Sequence, residues 1–388
     1  MHQIKKIGPE IQVSAKVGVN YQPSISAGGR DVNENILIAW KANNNQIRGQ
    51  WLESESGTKQ GNDFLITTSP TNIISKPAIC SLPSGGFISV WLDEGTRDVK
   101  GQRYDVDGAK IGPEFLVGPA SGEGTLQPSI RVLDFNTFVV VWTGDKIGSA
   151  LGPAGPQVQI FNLDGTHRGS FSINTTLDDV NYDPKITWLK NGNFVIAWFN
   201  RRALGETYVL AQIFNPDGSK SGGEINVNKI TAAENGNIGL TGLMDGNFVV
   251  AWVSQGSVMA QIFKPDGSNV HDFELIITED EQGTCRNPSL TEFNDAGFVA
   301  TWTTNMSNLT HVNPLGDEVR AKVFNNNGEV VSDSISVNTT TKGDQFGQTM
   351  TSSVDNHFVV AWVSDEDPSD NNMSVCAQVL EFSNTFVV

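Results

Sequence analysis

The sequence predicts an all-β chain, a seven-bladed β-propeller of four-stranded antiparallel blades. Three observations carry that prediction. An apolar run closing on tryptophan recurs seven times: ILIAW at 36–40, FISVW at 87–91, FVVVW at 138–142, FVIAW at 194–198, FVVAW at 248–252, FVATW at 298–302 and FVVAW at 358–362. A period of about 50 to 60 residues means stacked copies of one supersecondary unit. Each run is apolar at successive positions, so both faces of its strand are buried and each sheet lies between two others. Finally, the chain opens on a motif that elsewhere forms a fourth strand, and it closes just after a third. An open solenoid would need polar caps at its ends, and none is visible.

Within one unit the first strand follows a proline: Pro23, Pro77, Pro128, Pro184 and Pro288. Two copies, near Ile238 and Thr349, lack it. The tryptophan run is the second strand. In the last copy Phe358, Val360 and Trp362 share one face, and Val359 and Ala361 share the other. The third strand carries a glutamine in most copies, as in GQWL at 49–52 and AQIF at 211–214 and 260–263. The fourth reads EFLV at 114–117, EINVN at 224–228, FELII at 273–277 and SISVN at 334–338, with a weaker DFLIT at 63–67. NLDG, NPDG, KPDG and NNNG separate third from fourth strands, and glycine supplies the positive φ that closes each hairpin. SGG at 84–86, NGN at 191–193 and DGN at 245–247 do the same between first and second strands.

IGPEIQVS at 7–14 parallels IGPEFLVG at 111–118. Residues 10–14 are therefore expected to complete the last blade, about 348–382, and to close one ring spanning residues 1–388. The final FSNTFVV has no assigned place.

The formal net charge of −17 argues against binding a nucleic-acid backbone, which needs basic surface. No run of ~18 apolar residues is present to span a membrane, and MHQIKKIGPE has no following apolar core of a signal peptide. Cys80, Cys285 and Cys376 are far apart, without a CxxC pair, and read as small buried thiols. A monomer is expected, and no cofactor is required.

The motif order resembles the propeller repeats of large bacterial secreted and surface proteins of adhesin-like or toxin-associated type. TKGDQFGQ at 341–348, MDGNFVVAW at 244–252 and AQIFNPDG at 211–218 carry the likeness. It implies a propeller and, more weakly, an extracellular binding role, with a cytoplasmic location as the alternative. Asp105-Val106-Asp107-Gly108 falls short of the integrin-type DxDxDG calcium loop, because Arg103 stands where the first Asp should be.

In a propeller the fourth-to-first and second-to-third loops share one face, and here the second-to-third loops vary most in length. Candidate ligand residues on that face are Tyr21 in VNYQP, Tyr182 in VNYDP and Arg286 in CRNP, which occupy matching places. Aromatic rings and guanidinium groups there can stack on a sugar or clamp a carboxylate. The adjacent Arg201 and Arg202 are candidates for an anion. Asp365, Asp367 and Asp370 in SDEDPSD make calcium a candidate ligand through hard oxygen donors. For the tyrosines, wedging between blades competes with ligand binding; for the arginines and the acidic loop, simple solvation does. No HExxH, GxSxG or P-loop occurs, and no catalytic residue is assigned. The expected function is a non-catalytic binding module for carbohydrate or protein. The alternatives are a carbohydrate- or ester-acting enzyme with acidic residues at the channel mouth, or an intracellular interaction scaffold.

Overall fold

The structure is a computed structural model that describes residues 2–15, 23–28, 35–42, 46–67, 76–121, 126–134, 136–144, 155–173, 179–232, 236–279, 281, 283–293, 297–305, 316–353, 356–366 and 372–384. Seven sheets of four antiparallel strands form a ring of blades. In the first six blades the strands follow chain order, from the innermost at the axis to the outermost at the rim.

The last blade is assembled from both ends of the chain. His2–Gln12 is its outer strand and pairs with Ser374–Asn384, which neighbours His357–Asp365 and then Asp344–Ser352. The closing strand is longer than the sequence suggested. It starts at His2, where His2 faces Asn384 and Ile4 faces Phe382, so FSN at 382–384 extends the third strand. Beyond the strand, the Val13 amide donates to the Val375 carbonyl at 2.7 Å. The Val375 amide in turn donates to Ser14 Oγ at 2.8 Å.

Seven apolar clusters hold the ring, each with one tryptophan and side chains from two adjacent blades. Phe358, Val360 and Trp362 pack on Val299 and Val319 of the preceding blade. Val359 and Ala361 pack beneath Trp40 of the first blade, which makes the seventh interface and closes the circle. All seven tryptophans are buried to within 1%. Truncating such a side chain to alanine costs about 3–5 kcal/mol, so these interfaces fix the ring's register. The three cysteines are buried and unbridged.

The recurring glutamine has a specific task. Gln50, Gln102, Gln212 and Gln378 each send Nε2 to the carbonyl of the next residue and to two carbonyls of the fourth strand. The fourth strand bulges there, at Gly61, Gly112, Gly222 and Gly8, whose φ values are 70°, 72°, 78° and 65°. A bulge interrupts the ladder and leaves backbone groups unpaired. The buried amide satisfies them where no backbone donor reaches.

The first-strand proline also sits in a bulge. In the fourth blade Tyr182 faces Phe199 and Lys185 faces Ala197, so Asp183 and Pro184 together oppose Trp198. Asn287 and Pro288 oppose Trp302 in the same way, and Gly347 and Gln348 oppose Trp362. Asp183, Asn287 and Gly347 all have positive φ. Proline lacks the N–H that an unbroken ladder needs and is tolerated at such a break. The first strands of these blades consequently begin before the bulge, at Val180, Thr284 and Asp344. The residue three before each proline position meets the tryptophan edge. Trp198 Nε1 donates to Asn181 Oδ1 and Trp362 Nε1 to Gln345 Oε1, both at 2.9 Å. Cys285 holds that place in the sixth blade, and Trp302 Nε1 has no hydrogen-bond partner among the described residues.

Candidate functional site: the central channel

The seven innermost strands surround an axial channel, and their side chains divide it into two chambers. Ile25, Ile79, Ile186, Leu240, Leu290 and Met350, each the second residue after the proline position or its equivalent, line both and form an apolar collar between them. The upper chamber, about 210 Å³, lies where the first strands begin. That is the face onto which the fourth-to-first and second-to-third loops emerge. The lower chamber, about 320 Å³, is walled mainly by hydroxyl side chains such as Ser26, Ser81, Thr187 and Thr241, with Glu292 and Trp188.

One position in the upper chamber breaks the repeat. Immediately after the proline or its equivalent, six blades carry a small residue: Ser24, Ala78, Ser129, Gly239, Ser289 and Thr349. The fourth blade carries Lys185. A second lysine, Lys76, enters from just before Pro77. Gln127, Asn237 and Gln348 add amide groups, and Arg131 lines both chambers. Gln348 is held in place: its Oε1 accepts from Thr303 Oγ1 at 2.7 Å, and its Nε2 donates to the Asn287 carbonyl. Asn237 Nδ2 donates to Asn287 Oδ1 at 3.1 Å.

The electrostatics of this chamber follow from burial. Withdrawal from solvent pushes the Lys76 ammonium down to about 7, and the nearby charge of Lys185 adds to the effect. Burial also lowers Lys185, against the opposing pull of Asp183. Below the collar, burial raises the Glu292 carboxyl while the Arg131 charge works the other way. A chain with a formal net charge of −17 thus concentrates cationic groups on its axis. Chemically, the upper chamber offers two ammonium groups and several amide donors in a confined polar space, a set suited to a small anion.

Those of the residues singled out from the sequence that the structure describes lie apart from this chamber. Tyr21, Asp367 and Asp370 lie outside the described residues. Tyr182 is 3% exposed, and its ring stacks on Phe199 with centroids 5.4 Å apart. Arg286 forms an ion pair with Asp317, a carboxylate that is itself buried and accepts from Asn305 Nδ2 at 2.8 Å. Arg201 is the half-buried last residue of Phe194–Arg201. Arg202 begins an exposed hairpin tip, with its guanidinium carbon 3.9 Å from the centre of the Tyr208 ring. Asp365 ends His357–Asp365 and is buried. Among the described residues no group of three or more His, Cys, Asp or Glu side chains is placed to hold a metal. Sequence reading passed over Lys76 and Lys185. The signal was there in the aligned repeats, as a long cation in a column of small residues.

No family model matches the chain, and no curated protein sequence does. Solved structures do match in shape. A protein of unknown function from Dyadobacter fermentans is 13% identical, with a TM-score of 0.56 over 98% of this chain and 99% of that one. A puromycin hydrolase is 11% identical with a TM-score of 0.57; 96% of this chain is covered, but only 55% of the hydrolase. An α-L-arabinanase of Penicillium chrysogenum, solved with arabinobiose, is 10% identical with a TM-score of 0.51, covering 95% and 97%. At such identities the likeness is one of architecture, and the architecture it shows is the β-propeller.

Proposed function

We propose that this chain is a non-catalytic binding module that receives its ligand at the upper mouth of the channel, outside a bacterial cell. The observation that carries the reading is the upper chamber itself. It is polar, cationic within an acidic chain, and opens onto the face that bears the loops of most variable length. Rigid strands with variable loops above them are the usual arrangement for a grafted recognition site. The repeats differ from blade to blade in the residues that face the axis, which suits one site rather than seven equal ones. Carbohydrate is the first ligand class to test, since the Penicillium propeller was solved with a disaccharide. A protein ligand is the second. Calcium, through Asp365, Asp367 and Asp370, is a further candidate for the loop beside the last blade.

A glycan array probed with the full chain, with and without calcium, tests this reading. Saturable binding supports the module, and dependence on calcium supports the acidic loop. Release of a product from any bound glycan would replace the module with an enzyme of carbohydrates. Silence on the array in both conditions would count against a carbohydrate ligand and favour a protein partner.

A further inference from the structure

Independently of the upper mouth, we propose that the lower chamber binds an α-amino acid as its zwitterion, with the carboxylate on Arg131 and the ammonium on Glu292. The first support is a girdle of hydrogen bonds around this chamber and the places where it breaks. The side chain three positions after the proline position accepts from a backbone amide of the next blade. The Ser81 amide donates in this way to Ser26 Oγ at 3.0 Å, the Gly242 amide to Thr187 Oγ1 at 3.2 Å and the Ser352 amide to Thr291 Oγ1 at 3.1 Å. Two further joints repeat the pattern. In the third blade Arg131 holds that position, and a guanidinium has donors only, so it cannot accept from the Trp188 amide. The Leu189 amide donates to the Asn193 carbonyl within its own blade, so by the alternation of an antiparallel ladder the Trp188 amide faces the other way, towards the axis. Among the described residues the girdle breaks once more, between Thr241 and Glu292, whose side chain enters the same chamber. The two breaks thus coincide with the two charged side chains of the chamber.

The second support is the sign and placement of those charges. Arg131 and Glu292 belong to the third and sixth blades yet line one cavity of about 320 Å³. The Arg131 charge reaches Glu292 through space, but neither side chain forms an ion pair or a hydrogen bond among the described residues. Opposite charges held apart in one chamber are satisfied together only by a ligand that carries both signs. An anion alone meets the repulsion of Glu292, and a cation alone meets that of Arg131. A neutral sugar would withdraw both groups from water without pairing either. The planar fork of Arg131 matches a carboxylate bidentately, and the Trp188 N–H adds a donor at the same joint. The Trp188 ring lines the cavity as well and offers an apolar surface for the side chain of the amino acid.

A thermal-shift screen of the full chain against the proteinogenic L-amino acids, at mildly alkaline pH to favour the Glu292 carboxylate, tests the proposal. The strongest binder is then titrated calorimetrically beside its deaminated acid, its decarboxylated amine and its glycyl dipeptide; for leucine these are isocaproate, isoamylamine and glycyl-leucine. The amino acid is expected to bind at least tenfold more tightly than each of the three. Glu292→Gln should abolish its advantage over the deaminated acid, and Arg131→Gln its advantage over the amine, with thermal melts confirming that both variants fold. This exchange of preferences is a readout that a merely structural role for either residue would not move. No response to any amino acid, equal binding of the deaminated acid or the amine to wild type, tighter binding of the dipeptide, or unchanged preferences in the folded variants would each overturn the proposal. Those outcomes leave the upper-mouth reading standing, because the glycan array tests it separately.

Discussion

Ile7 and Gln378 stand at opposite ends of the chain, and Gln378 Nε2 donates to the Ile7 carbonyl oxygen at 3.0 Å. The same amide donates to Gly8 and Val379. The contact repeats, across the ring's seam, what Gln102 does for Ile111 and Gly112 inside a continuous blade. The seam is therefore built like the third-to-fourth strand junctions that carry Gln50, Gln102 and Gln212, except that the chain does not run through it.

Deleting residues 1–14 should cost several kcal/mol in urea unfolding, because it strips the outer strand from the last blade and leaves Ser374–Asn384 with an open edge. The truncated chain should also self-associate. Gln378→Leu should cost about 1–3 kcal/mol by leaving buried carbonyls unpaired. A melting temperature unchanged by the truncation would refute closure through this strand.

The tryptophans should differ in what a Phe substitution costs. Trp198 and Trp362 donate to side-chain oxygens, whereas the buried Trp302 indole N–H has no partner among the described residues. All three lose similar apolar area on replacement. Trp198→Phe and Trp362→Phe should therefore destabilise by about 1 kcal/mol more than Trp302→Phe. Equal costs in parallel denaturant melts would show that the hydrogen bonds contribute nothing.

Arg286→Ala should destabilise the fold by about 1–3 kcal/mol, since it leaves the buried Asp317 carboxylate without its cation. The lower end applies if solvent reaching the half-exposed guanidinium screens the pair. If stability holds and ligand affinity falls, Arg286 belongs to a recognition surface instead.

Lys76 should make the protein more stable as pH rises. Its folded-state value, about 7, lies below the ordinary 10.5, so between those limits the unfolded chain binds more protons than the native one. Stability therefore increases with pH across that window, and the burial penalty is fully present below pH 7. Lys76→Met should stabilise by about 1 kcal/mol or more at pH 6, with the gain fading towards pH 10. Melts of the two proteins at pH 6, 8 and 10 measure this. A constant difference would mean that Lys76 titrates normally.

Much of the ring was legible before any coordinates. Phe358, Val360 and Trp362 on one face, with Val359 and Ala361 on the other, already required neighbours on both sides. IGPEIQVS beside IGPEFLVG already named the strand that closes the circle. What escaped was the task of residues whose partners are distant in sequence. Gln50, Gln102, Gln212 and Gln378 are plain signature letters until the fourth strand bulges against them. Tyr182 reads as a ligand candidate or a wedge between blades until strand pairing sets it opposite Phe199 and stacks the two rings. Arg286 reads as a ligand candidate until the strand Asp317–Phe324 places Asp317 beside it.

By itself, then, the sequence determined the number of blades, the strand content of each and the way the ends meet. These depend on local periodicity and on apolar burial, which any stretch of chain displays on its own. Only the tertiary structure decided which side chains share the axis. Lys76 and Lys185 are 109 positions apart, and no local pattern joins them; the ring does, because every first strand must turn its edge towards the same central space.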